Sequence, residues 1–262
     1  MIFKREEYEL INGIYTDAID YDYIAMGIKE KFIGFFIGFL LAFLAIQIFF
    51  SIAIISFIVA IFFGFKGIPI YKKYLIEKRK KKLLLEFRDL LDSLNNSLAA
   101  GDNVTDSFNN ALQDMINQHG ESAYISEEVN IIVGGLRNNI VIEKLLENFA
   151  ARSHLDDIKD FCDTFCTCIR LGGNLKIIIN DCKEIITQKI DIELEINTII
   201  AGNKNQLNII IVMPFAIIAM MQSMGFDAIM AFNFTTILTK AVALIIFIFA
   251  YRIGLKIIKI EV

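Results

Sequence analysis

The sequence predicts an all-α integral membrane protein in which an N-proximal and a C-terminal transmembrane helical hairpin enclose a cytoplasmic helical bundle. Three observations carry this. Two apolar blocks, Phe32 to Phe65 and Leu207 to Tyr251, bracket a polar stretch. Within that stretch apolar residues recur at three- and four-residue steps, the period of one helix face, and strand alternation is nearly absent. The apolar share of the chain, 55%, with 23 Phe and only two Pro, is a surplus that only lipid can cover.

Residues 1–31 read as a short cytoplasmic segment. Its acids Glu6, Glu7, Glu9, Asp17, Asp20 and Asp22 precede any apolar run, which excludes a secretory signal. The first apolar block lies between Lys31 and Lys66 and carries no charge. As a single helix it would run roughly 51 Å against a hydrocarbon core near 30 Å, and would need a tilt beyond about 50°. Two short helices turning near Gln47 to Ser51 fit better, so 32–69 is expected to be a transmembrane hairpin.

Residues 70–206 are expected to form the bundle. One stripe runs Leu84, Phe87, Leu90, Leu91, Leu94 and Leu98, with Arg88, Asp89, Asp92, Asn95 and Asn96 opposite. A second runs Leu155, Ile158, Phe161, Cys162, Phe165, Cys166 and Ile169, with Asp156, Asp157, Asp160 and Asp163 on its other face. Lys78, Arg79, Lys80, Lys81 and Lys82 lie just past the first block, and Arg252, Lys256 and Lys259 just past the last. By the positive-inside rule both sides face the cytoplasm. Topology accounts for the Lys78 to Lys82 run, with contact to anionic membrane lipid as its extension, ahead of RNA or a protein partner.

The second block, 207–255, divides at the more polar Met224 to Asn233. Leu207 to Ser223 is expected to cross outward and Phe234 to Tyr251 to return, leaving 256–262 as a cytoplasmic tail. Pro214 removes a backbone donor and should kink the outbound helix. Lys240 is within snorkelling reach of the outer interface.

A weak repeat punctuates the bundle. Gly101-Asp102-Asn103-Val104, Asn139-Ile140-Val141-Ile142 and Gly172-Gly173-Asn174-Leu175 each follow one apolar helix and open another. Gly and Asn accept the left-handed conformation that ends a helix most readily, and Asn103 and Asn174 can cap the next one. Gly172 and Gly173 together are expected to hold a turn too tight for a Cβ.

No catalytic constellation emerges. Asp89 with Asp92, and Asp160 with Asp163, are carboxylate pairs on one helix face, a pattern that solvated faces produce routinely; docking of a basic partner suits them better than acid–base catalysis. Cys162, Cys166, Cys168 and Cys182 lack C-x-x-C pairs and neighbouring histidines, so they read as buried reduced thiols rather than metal ligands. His119 and His154 are isolated. No cofactor is expected, and a net charge of −4 without a Gly-rich phosphate loop gives no sign of nucleic acid.

From about Gly64 to Val262 the chain resembles the F-domain proteins of type II secretion and type IV pilus assembly, in particular the short inner-membrane proteins of Tad (Flp) pilus assembly of TadB/TadC type. The resemblance rests on ordered pieces: Gly67-Ile68-Pro69, Phe87-Arg88-Asp89-Leu90-Leu91-Asp92, Ala99-Ala100-Gly101-Asp102-Asn103-Val104, Leu136-Arg137 through Ile142-Glu143-Lys144-Leu145-Leu146, Arg152, Gly172-Gly173-Asn174-Leu175, and the tail Leu255 to Val262. Arg88 stands where the family often has proline, and Asn139 and Lys240 where it often has glycine. Residues 1–31 replace the additional N-terminal membrane helix of many relatives. The resemblance implies a platform with no enzymatic activity, which couples a cytoplasmic secretion ATPase to prepilins held in the membrane. It also implies pairing with a paralogous subunit or with itself as a dimer, since longer relatives carry the domain twice. Asp89, Asp92, Arg137, Arg152, Asp160 and Asp163 are the candidate partner-binding residues. A signalling or adaptor scaffold is the alternative, and a small transporter a weaker one, because the first block offers only Gln47, Ser51 and Ser56 as polar lining.

Overall fold

The computed structural model describes residues 10–12, 14, 16–50 and 53–224, with helical residues at 238–240, 242–243, 245–246, 249 and 252–253. The chain is predominantly helical: β1 (Leu10–Asn12), β2 (Asp17–Ile19), α1 (Ile28–Phe50), α2 (Ala53–Ala100), α3 (Val104–His119), α4 (Tyr124–Arg137), α5 (Ile142–Ser153), α6 (Asp156–Leu171) and α7 (Leu175–Ser223). It divides into two compact units. One comprises residues 1–27 and 72–191, the other residues 28–71 and 192–262.

The first unit is a helical bundle whose core includes the two stripes read from the sequence. Leu83, Phe87, Leu90, Leu91 and Leu94 of α2 are buried with Ile158, Phe161, Cys162, Phe165 and Cys166 of α6. Phe87 meets the Phe161 ring edge-on at 5.3 Å, and Phe165 meets Phe108 of α3 at 6.3 Å. Each side chain so buried contributes about 1.5–3 kcal/mol of transfer free energy. Glu86 of α2, 3% exposed, accepts the Ile125 N–H at 3.1 Å. It thereby caps α4 from outside, where Ala123 supplies no side-chain cap.

The N-terminal segment departs from expectation. Residues 17–27, read from the sequence only as part of a short acidic segment, pack with the bundle: β1 and β2 pair antiparallel, Leu10 opposite Ile19, and residues 18–26 enter the core. Ala18, Ile19, Tyr21, Ile24 and Met26 are all buried. The reason is alternation. Apolar Tyr21 and Ile24 turn inward while Asp20 reaches His154 and Asp22 reaches Lys80 at the rim, so a stretch that reads as acidic overall presents one apolar side.

All three repeat turns close in one way. At the first, the Gly101 N–H donates to Leu98 O and the Asp102 N–H to Ser97 O. At the second, Asn139 donates to Leu136 O and Ile140 to Gly135 O; at the third, Gly172 donates to Ile169 O and Gly173 to Cys168 O. This crossed pair is the Schellman arrangement, whose pivot residue must be left-handed. Gly101, Asn139 and Gly172 have φ of 99°, 58° and 69°. A new helix starts three residues after each pivot, at Val104, Ile142 and Leu175. The bundle is therefore three helix–corner–helix units, α2/α3, α4/α5 and α6/α7. Asn103 accepts the Asp106 N–H at 2.9 Å and Asn174 the Lys176 N–H at 3.1 Å, as the capping reading requires.

The two glycines of the third turn do different work. Only Gly172 has positive φ, with open space where its Cβ would sit; a Cβ on Gly173 would lie 2.6 Å from Cys168 Sγ. Gly172→Asn should therefore retain nearly all stability, since Asn139 fills the equivalent pivot, whereas Gly172→Val should lose about 1–2 kcal/mol, measured by denaturant unfolding of the purified chain.

In the second unit, Ile28–Ile48 is long and apolar enough to cross a membrane, with only 6% of that stretch buried. Of the turn expected near Gln47 to Ser51, residues 47–50 are still helix, the last turn of α1; Ser51 lies outside the described residues, and helix is described again from Ala53. α1 and the start of α2 touch backbone to backbone. A Cβ on Gly67 would lie 2.5 Å from Gly34 O, and one on Gly38 would lie 2.8 Å from Phe63 O. Around this seam Phe35 meets Phe65 at 5.3 Å and Phe39 meets Phe57 at 5.6 Å. The outer faces remain apolar and exposed, Phe32 at 67% and Ile54 at 74%. Pro214 lies inside α7. The polar interval Met224 to Asn233 falls beyond the described residues except for Met224, as does the tail 256–262; the return helix is described at only part of its length.

Candidate functional site

The most heavily engineered polar feature of the bundle was not legible as a site in the sequence. Arg152 of α5 is 5% exposed and Glu128 of α4 is 1% exposed. The guanidinium donates in parallel to both Glu128 oxygens, Nη1 to Oε1 at 2.7 Å and Nη2 to Oε2 at 2.5 Å. Nη1 also donates to Ile19 O at 2.9 Å, and Nε to Asn148 Oδ1 at 2.8 Å. The Tyr21 hydroxyl donates to Glu128 Oε1 at 2.9 Å, and the Tyr21 N–H to Arg152 O at 3.0 Å. A buried charge is tolerable only when paired and fully hydrogen-bonded, and here the N-terminal segment supplies part of that pairing.

Arg152 was expected to bind a partner. It is 5% exposed instead, and four of its five N–H donors are held by Glu128, Ile19 O and Asn148. Arg79 was expected to flank a membrane as a solvated cation; it is 3% exposed, and its Nη1 and Nη2 donate to Asp20 O at 3.3 Å and Tyr23 O at 3.1 Å. The reason is the same for both: a planar fork of donors suits converging carbonyls, and the N-terminal segment presents carbonyls to each.

Around them the segment is held by surface contacts. Lys80 pairs with Asp22 at 2.6 Å, and this holds the Asp22 carboxyl below the usual carboxylate range. His154, itself left-handed at the end of α5, reaches Asp20 Oδ1 at 2.9 Å. Lys72 lies 4.6 Å from the Tyr23 ring centroid, a cation–π contact. Lys82 pairs with Glu86, while Lys78 and Lys81 are exposed.

Burial, reinforced by the Glu128 charge, pushes the Tyr21 phenol well above its ordinary value. The folded phenol thus keeps its proton where the unfolded one has lost it. Its contribution is complete below about pH 10 and is lost as pH rises through the folded value. Urea titrations at about pH 8 and about pH 11 should show the wild-type chain losing more stability over that interval than Tyr21→Phe.

The remaining predicted residues are dispersed. Asp89 accepts from Arg88 at 2.9 Å and faces His119 at 3.1 Å; Asp92 pairs with Lys183. Arg137 donates to Asn109 at 3.0 Å. Asp160 and Asp163 are exposed on α6, and among the described residues their carboxylates hold no hydrogen bond or ion pair. The structure therefore does not bring the six candidates together.

Cys162, Cys166 and Cys168 are buried and all four thiols are free. Burial pushes the Cys166 thiol up to about 11, and Cys162 and Cys182 upward as well. Such groups are poor nucleophiles at neutral pH. Among the described residues no group of three His, Cys, Asp or Glu side chains is placed to hold a metal.

Glu128 and Tyr21 were missed. A signal existed for the first: Glu128 sits on the face of α4 defined by Ile125, Val129 and Ile132, all buried, and an acid in a core stripe calls for a partner. For Tyr21 the only signal was its alternation with Asp20 and Asp22. Compared with family models, with curated proteins and with solved structures, the chain matches none.

Proposed function

We propose that this chain is an inner-membrane platform subunit of a Tad/Flp-type, type IV-like pilus or type II secretion-like machine, which couples a cytoplasmic secretion ATPase to the assembly of prepilins. The observation that carries the reading is the identity of the three corners. The Gly101, Asn139 and Gly172 motifs on which the family resemblance rests adopt one hydrogen-bond pattern and open a helix at one offset. That supports treating them as equivalent parts of a single domain.

Chain closure supports a membrane hairpin in this reading. Residues 17–27 and 72–191 share one core, tied by Tyr21 to Glu128 and Arg152. Both ends of segment 28–71 therefore depart from the same folded body, and a crossing through α1 requires a return through the apolar start of α2. Tyr71, Lys72, Lys73 and Tyr74 at the unit boundary have the aromatic-plus-cation character of a membrane interface. The positive-inside rule then puts the bundle in the cytoplasm, with the C-terminal block as a second hairpin. α2 and α7 are each unbroken helix across the residue where one unit gives way to the other, which suits transmission of motion.

Reporter fusions should place residue 120 in the cytoplasm and residue 51 outside, and the full chain should co-purify with a cytoplasmic secretion ATPase of the same cell. A periplasmic reporter signal from the bundle would overturn the proposal. An ATPase that never co-purifies, with pili intact after deletion of the gene, would favour the adaptor scaffold.

A further inference from the structure

Cations that follow the first apolar block are turned toward the chain's own N-terminal segment. Lys72, Arg79 and Lys80 lie within about two and a half turns of α2, directly after segment 28–71. Lys72 sits over the Tyr23 ring, Arg79 donates to Asp20 O and Tyr23 O, and Lys80 pairs with Asp22. From α5, His154 takes Asp20. To these cations residues 20–23 present anionic oxygens beside neutral carbonyl oxygens, the same mixture that the phosphate and ester groups of an anionic phospholipid present. Lys73, its side chain 80% exposed, reaches Glu77 at 3.8 Å, and Lys78 is exposed; both give a headgroup a first foothold on the same stretch of α2.

We propose that residues 17–27 form an acidic strap that competes with anionic phospholipid headgroups for Lys72, Arg79 and Lys80, so that a negatively charged bilayer loosens the strap while the bundle stays folded. The strap runs through Gly27 into α1, so loosening frees the chain that enters α1 from its ties to Glu128 and Arg152. The inference rests on the membrane reading, which puts Lys72 beside the headgroups.

Apolar burial decides how far the competition can go. Ile19, Tyr21, Ile24 and Met26 are buried under the closed strap, and each resists exposure more strongly than one juxtamembrane cation is drawn to an anionic surface. Headgroups therefore raise the open population by about fivefold for each cation they recruit, without making the open strap the resting state. Opening of this kind is local, confined to one segment at the edge of the bundle.

The test is amide hydrogen exchange of the full chain, read by mass spectrometry, in nanodiscs of phosphatidylcholine alone and of phosphatidylcholine mixed with phosphatidylglycerol. Peptides from residues 18–26 should exchange about tenfold faster in the anionic discs, those from residues 108–133 equally in both, and high salt should remove the difference. An anionic surface concentrates protons and by itself slows base-catalysed exchange, so it cannot mimic this result. Lys72→Gln/Lys80→Gln should cut the response to lipid charge severalfold, whereas Lys144→Gln, at an exposed position of α5, should keep it whole. Equal exchange of residues 18–26 in the two discs overturns the proposal. So does acceleration that extends equally to residues 108–133, or that Lys72→Gln/Lys80→Gln leaves unchanged. The wider reading is separable: reporters that place residue 120 in the cytoplasm, with a strap indifferent to lipid charge, leave the platform standing without this device, whereas a strap that responds as above survives even if the bundle serves another machine.

Discussion

Arg152→Ala is expected to cost the bundle about 3–5 kcal/mol, the cost of leaving a buried carboxylate without its counter-charge. Against a total of about 5–15 kcal/mol for an ordinary domain, that removes a large share of the stability. Three acceptors lose their donor at once: Glu128, Ile19 O and Asn148 Oδ1. Arg152→Lys should recover little, since an ammonium cannot reproduce the parallel pair to Oε1 and Oε2. The informative comparison is Glu128→Leu/Arg152→Met, which removes both charges and fills the space with apolar groups. It should melt well above Arg152→Ala in a thermal scan of the detergent-solubilised chain. If the double variant is as unstable as Arg152→Ala, the cost lies in lost packing rather than in an orphaned charge, and the account given for this pair is wrong.

Gly67→Val is expected to force α1 and α2 apart. The 2.5 Å separation between its Cβ position and Gly34 O is one that real Cβ atoms do not show, and the obstacle is backbone that cannot rotate away. Overpacking of a tight contact costs about 1–3 kcal/mol. For helices that cross a bilayer such a loss weighs more than the figure, because no hydrophobic force draws them together; close contact through small residues is what holds them. Gly38→Val, at 2.8 Å from Phe63 O, should act in the same direction. Gly27→Ala, whose Cβ would meet nothing within 4 Å, is the control and should leave the melting midpoint where it is. Equal midpoints for Gly67→Val and Gly27→Ala would mean that the two helices do not pack through this seam.

The sequence revealed what depends on period and on local turn chemistry. The Leu83 to Leu98 and Leu155 to Ile169 stripes are core, and Gly101, Asn139 and Gly172 are the pivots, because helix faces and left-handed residues leave marks within a few positions of one another. It concealed what depends on distant pairing. Nothing near Arg152 says that its partners are Glu128 and a carbonyl in residues 17–27, and nothing near Arg79 says that Asp20 and Tyr23 will face it. Arg152 read as a partner-binding residue and Arg79 as one cation of a membrane-flanking run because arginine side chains are most often exposed.

The union of Tyr21 and Ile19 with Arg152 has a consequence for how the protein is made. The ribosome releases Ile19 133 residues before the arginine that its carbonyl will meet, an interval on the order of ten seconds at usual elongation speeds. In that interval the apolar segment 28–71 emerges while the leading residues still lack their mates. Maturation of the bundle thus waits on translation of α5, so a nascent chain stalled before Arg152 should expose its leading residues to protease, and one stalled well beyond α6 should protect them.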